Sequence, residues 1–235
     1  MLKLGFLLLF MIGGSFAFLV SICDFKKCHK LATEHSLFDI ENVLPTAERL
    51  VSMCPSIKEV MQCEMQEWNN CLGEDLHDFL NSDNETIRAA VNVYLGIAGL
   101  LTDMCDNTTP FHRAYAENIV CIKEVSMSYL TQALCYTEAS ALTTAYKNEH
   151  TLTAEQSACM LTAHVFACTT GEILQDCGEE ARATAVEFVK RTKLLKYAIC
   201  TLEDVEELKS TYLNFLEQET EKRNIFSLAF DLRKK

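Results

Sequence analysis

The run Ala89–Leu101, AAVNVYLGIAGLL, is apolar on most faces, the pattern of a helix buried at the centre of a bundle. Its two glycines, Gly96 and Gly99, are expected to allow close backbone approach, and Val91, Leu95 and Leu100 are its candidate core or pocket-lining positions. Further along, Val205, Leu208, Tyr212 and Phe215 recur at intervals of three and four behind a Thr201 cap. That spacing draws one apolar stripe along an amphipathic helix. Ile225–Leu232 continues apolar toward Arg233-Lys234-Lys235 and is expected to dock on the bundle. Helix starts are written at Ser82-x-x-Glu85 and Thr153-x-x-Gln156 as capping boxes, and at Thr109-Pro110 as a cap followed by proline. Gly73 and Gly178 each follow a periodic segment and suit a helix C-terminus.

Beyond residue 17 the only glycines are 73, 96, 99, 171 and 178, and the only prolines 45, 55 and 110. A β-protein of this length needs many more turn residues. The chain is predicted to be all-α.

The first segment sets the compartment. Met1–Ala17, MLKLGFLLLFMIGGSFA, has one cation (Lys3), an apolar run broken by Gly13-Gly14, and Ser15-Phe16-Ala17 in the small-x-small form of a cleavage site. It reads as a signal peptide rather than an anchor, being short and glycine-broken for a spanning helix. No second stretch of spanning length is expected, so no stable membrane span is predicted. Without Met1–Ala17 the formal charge of −12 becomes −13, since Lys3 is its one charge. An acidic secreted chain is not a nucleic-acid binder by bulk electrostatics.

All twelve cysteines lie beyond the cleavage site. An even count on an oxidising route implies disulfides, and no C-x2-C pair points to zinc. Their spacing repeats. Cys54, Cys63 and Cys71 read C-x8-C-x7-C-x-G-E, while Cys159, Cys168 and Cys177 read C-x8-C-x8-C-G-E. Cys28 and Cys135 precede the two triplets at similar distances, and Leu100-Leu101 before Cys105 matches Leu194-Leu195 before Cys200. The reading is a tandem duplication, with a signal at 1–17, one six-cysteine repeat at 18–112, a second at 113–201, and a C-terminal amphipathic helix and tail at 202–235.

Antiparallel helices bring together residues whose numbers sum to twice that of the turn. Cys121–Cys177 and Cys135–Cys168 both place a turn near 150, at Lys147-Asn148-Glu149-His150; Cys23–Cys71 and Cys28–Cys63 both place one near 46, at Pro45-Thr46. Cys159–Cys200 and Cys54–Cys105 place turns near 180 and 80, at Cys177-Gly178-Glu179-Glu180 and Leu80-Asn81-Ser82-Asp83-Asn84. Nine residues rotate a helix by about 900°, half a turn past whole turns. Cys159 and Cys168 therefore face opposite ways and serve the following and the preceding helix. Cys177 returns to the face of Cys159, which conflicts with its bonding to the preceding helix unless the last turn unwinds.

Candidate chemistry is sparse. His77-Asp78 resembles the His-Asp pair of secreted phospholipases A2, without their cysteine doublet or glycine-rich calcium loop. His29, His35, His112, His150 and His164 form no ligand or triad spacing, and His164 is expected in the core. Glu64, Glu67, Glu74 and Asp75 are read as a solvated face, and Trp68 as core. No catalytic residue, metal or cofactor is predicted. Asn84 and Asn107 are N-glycosylation acceptors, the second disfavoured by Pro110.

On the C-x8-C-x7/8-C-G-E core and the helix ending in cysteine, the chain resembles the small helical, cysteine-rich secreted proteins of arthropods and nematodes built on a domain of unknown function. It is also similar to the insect 27-kDa hemolymph glycoprotein type in length and in repeated C-x8-C triplets. The resemblance implies extracellular location and a helical disulfide fold, with no catalytic residues. The expected role is a secreted, non-catalytic protein acting by contact with an extracellular protein or as a structural component of a secretion; the alternative is a carrier of a small hydrophobic ligand between helices.

Overall fold

The computed structural model describes residues 23–37, 39 and 44–200. The expected leader, C-terminal stripe and tail lie outside them. Among the described residues there is no strand. The described residues form seven α-helices, α1 (Lys26–Glu34), α2 (Ala47–Leu72), α3 (Glu85–Met104), α4 (Pro110–Met127), α5 (Tyr129–Glu149), α6 (Ala154–Cys177) and α7 (Glu179–Thr192). A 3-10 helix, Leu76–Asn81, joins α2 to α3, and a π turn, Leu195–Ile199, leads to Cys200. The fold is an all-α, disulfide-stapled bundle.

The chain divides into two compact units after Ile119, within α4. In the first, α1 packs on α2, and α3 packs on both α2 and the 3-10 helix. α2 starts where the Thr46 hydroxyl accepts from the Arg49 N–H, continues through Pro55, and ends at Gly73. Its buried stripe is Leu50, Met53, Cys54, Ile57, Val60, Glu64 and Trp68, at intervals of three and four with one adjacent pair. Trp68 is fully buried against Phe25 (ring centroids 5.1 Å apart) and Tyr94 (5.9 Å). Ala90, Val91 and Leu76 complete that core.

α3 starts differently from expectation. Asn84, not Ser82, is the N-cap: its side-chain oxygen accepts from the Ile87 N–H at 3.2 Å, while the Ser82 hydroxyl accepts from the Asn84 N–H. Serine and asparagine cap comparably well, and the preceding 3-10 helix, running to Asn81, leaves Asn84 at the turn into α3. Close approach at Gly99 is not found; the position is exposed, and a Cβ there would meet nothing within 4 Å. By length and composition α3 alone among the described helices would suffice to cross a bilayer, contrary to the expectation that no such stretch follows the leader. Val91, Tyr94, Ala98 and Leu100 are nevertheless buried within the unit, as in a core helix.

In the second unit α5 and α6 form the main antiparallel pair, with α7 and the π turn on α6. The Thr153–Gln156 capping box is present with both bonds made. Tyr146, Cys159, Met160, Ala163 and Leu195 form one core cluster; Ile122, Val125, Ile173 and Ala181 form another. α4 and α5 are separate helices. The break falls at Ser128, whose hydroxyl caps α5 by accepting from the Thr131 N–H at 3.5 Å.

The six disulfides are Cys23–Cys71, Cys28–Cys63, Cys54–Cys105, Cys121–Cys177, Cys135–Cys168 and Cys159–Cys200. The break at Ser128 removes the facing conflict at Cys177. Cys121 belongs to α4 and Cys135 to α5, so Cys177 and Cys168 need not address one helix. α6 stays helical through Cys177.

Candidate functional sites, a buried acid and an exposed apolar face

Two features depart from an ordinary helical bundle. The first is Glu64. It lies on the buried stripe of α2, one turn before Trp68, and is only 7 % exposed. Burial pushes its carboxyl up to about 7 from the ordinary 4.5, because an ionised carboxylate loses its hydration there. Tyr94, on α3, donates from its hydroxyl to the Met61 carbonyl at 3.2 Å. Burial first and the Glu64 charge second push that phenol upward. The Trp68 Nε1–H is buried with no hydrogen-bond partner, a rare condition for a polar atom. An acid whose proton is held more tightly than usual, an unsatisfied indole N–H and three aromatic rings thus lie on or against one buried stripe. Reading Glu64 as part of a solvated face is corrected. Its place four residues after Val60 and four before Trp68 was the signal, since both neighbours lie on the buried face.

The second feature is the outer face of α5. Thr131, Cys135, Ala139 and Tyr146 are buried on the inner side. Opposite them Tyr129 is 65 % exposed, Leu130 77 %, Leu134 53 % and Tyr136 49 %. Ala133 and Thr137, also exposed, occupy the middle of that face. From Val125 to Thr137 the sequence holds no Asp, Glu, Lys or Arg. The solvent side of a helix normally carries its charges. Apolar side chains gathered on one exposed face are unusual for a surface helix. The chemistry expected of the sequence did not include it, although the charge-free run was legible there.

The other candidates are dispersed. His77 Nδ1 lies 2.9 Å from Asp75 Oδ1, at the surface. The backbone N–H of His77, and then its ring, hold the Asp75 carboxyl below the usual range. His35 meets Glu59 at 3.1 Å, and His150 stacks on Tyr146 at 4.2 Å. His164 is buried in α6. Glu74 and Asp75 are exposed and Glu67 is half-buried. Asn84 and Asn107 are exposed as well; the Asn84 cap uses its oxygen, and Asn107 lies in the turn before α4. Among the described residues no group of three or more His, Cys, Asp and Glu side chains is placed to hold a metal ion. No protein-family model matches the chain, and no curated protein or solved structure matches it.

Proposed function

We propose that this chain is an extracellular, non-catalytic protein that acts by contact with another macromolecule. The observation that carries the reading is the charge-free face Tyr129, Leu130, Leu134 and Tyr136, exposed on a unit whose helices are locked by three disulfides. An apolar surface held rigid before it binds loses little conformational freedom on binding. Six disulfides are typical of proteins outside reducing compartments. With all twelve cysteines paired, no thiolate remains for nucleophilic chemistry. A cleaved leader at Met1–Ala17, glycan at Asn84 and, less favourably, at Asn107, and kinship with the secreted cysteine-rich helical proteins belong to the same reading.

The carrier alternative draws on the first unit, where the Glu64 carboxyl and the unpartnered Trp68 N–H lie among aromatic rings. A small ligand with an apolar body and one acceptor would suit that pair. Native mass spectrometry of the secreted protein, purified without detergent, separates the readings. Contact predicts a bound protein chain, of the same or another kind. Copurified lipid on a protein that binds no other chain would replace contact with carriage.

A further inference from the structure

We infer that the outer face of α5 pairs with the same face of a second copy, in a two-fold antiparallel crossing centred on Ala133. This names the partner for the contact reading and rests on it.

Three observations select a second copy. The chain carries 33 acidic against 21 basic residues, so two copies meeting at random would set like charges against each other. Val125–Thr137 has no charge of either sign, and contact there escapes that repulsion. A foreign partner recruited by an acidic protein would gain from basic residues, for which this face offers no counterpart. The shape of the face points the same way. Its middle is the small Ala133, opposite the buried Thr131–Cys135–Ala139 stripe, and its flanks are the large Tyr129, Leu130, Leu134 and Tyr136. A two-fold axis requires a self-complementary patch, in which residue i meets j and j meets i. A crossing at Ala133 lets two helix axes approach closely. Leu130 then lies opposite Tyr136 of the second copy, and Tyr129 opposite Thr137. The register sets an aromatic ring over each Leu130 and brings no charge into the contact, while Leu134 falls at the level of Gln132.

The test is sedimentation of the mature secreted chain over a wide concentration range, with two variants. The wild type is expected to show a concentration-dependent dimer. Leu134→Glu should weaken it by roughly tenfold or more, the loss typical of a central interface residue. Ala133→Trp adds apolar surface, so it should strengthen non-specific stickiness; in a close crossing it should abolish the dimer. Circular dichroism and intact mass check that both variants stay helical and fully disulfide-bonded; should one fail that check, the other decides. A wild type that stays monomeric overturns the pairing. Cross-linking of residues 201–235 to α5 in that monomer would make the tail the occupant. A dimer that survives both substitutions overturns the location. A monomer that binds a different protein through Leu130 and Leu134 overturns the second copy while leaving the contact reading standing; no binding of any protein removes both.

Discussion

The Tyr94 hydroxyl reaches from α3 to the Met61 carbonyl of α2 at 3.2 Å, closing α3 over the turn of α2 that carries Glu64. The carboxyl lies on the same buried stripe as Trp68, close enough to Tyr94 for its charge to act on the phenol. Its proton affinity becomes a property of the fold.

The first prediction follows from that. Folded Glu64 holds its proton up to about pH 7, whereas the unfolded chain releases it near 4.5. Between those values the folded state binds more protons than the unfolded one, so stability falls as pH rises. The full contribution is present below about 4.5 and lost above about 7. The loss is on the order of 3 kcal/mol. Asp75 and Asp106, whose carboxyls are lowered, act with the opposite sign and below this window. Thermal melts followed by the fluorescence of Trp68, the one tryptophan, should show the decline, and Glu64→Gln should flatten it. A wild-type melting temperature constant across the window would remove the argument.

A second prediction concerns the staples. Peptide mapping of the non-reduced protein should find three bonds within Cys23–Cys105 and three within Cys121–Cys200. Replacing Cys135 and Cys168 together by serine opens a loop of sequence separation 33. The cost should be about 3–4 kcal/mol in denaturant unfolding. A bond joining the two sets would overturn the pairing.

The two helix-ending glycines should differ. Gly73 has φ 76° and ψ 0°, a left-handed conformation that asparagine tolerates. Gly178 has φ 87° and ψ 179°, a region reserved for glycine. Neither would bring a Cβ within 4 Å of another group, so the cost is purely one of backbone. Gly73→Asn should cost under about 1 kcal/mol, and Gly178→Asn about 1–3 kcal/mol. Equal losses at the two sites would contradict the assignment.

Tyr115 offers a fourth stability test. Its buried hydroxyl donates to the Pro45 carbonyl at 2.7 Å, tying α4 to the entry of α2. Tyr115→Phe leaves that carbonyl unpaired and should cost about 1–3 kcal/mol. A neutral substitution would mean that water replaces the phenol.

The helical class and the ends of several helices were legible without coordinates, because they depend on neighbours in the chain. Scarce glycine and proline, the Thr153–Gln156 box and the ends at Gly73 and Gly178 are local, and a helix cap needs only its own turn. The cysteine spacing was informative for a related reason: antiparallel rods convert sequence separation into height along a bundle.

Tertiary structure decided what depends on what lies opposite. Glu64 looked like one more surface carboxylate until Tyr94 and Phe25 closed around its stripe, and then desolvation governed its proton. Ser82 and Asn84 offer similar caps, and the 3-10 helix before them chose the second. The break at Ser128 has no glycine or proline to announce it. It put Cys121 and Cys135 on different helices, so that two sulfurs on opposite faces of α6 each found a partner. The outer side of α5 is a similar case: whether Leu130 and Leu134 face a core or water depends on where Cys135 is tied. That bond holds one face inward and leaves the charge-free face exposed.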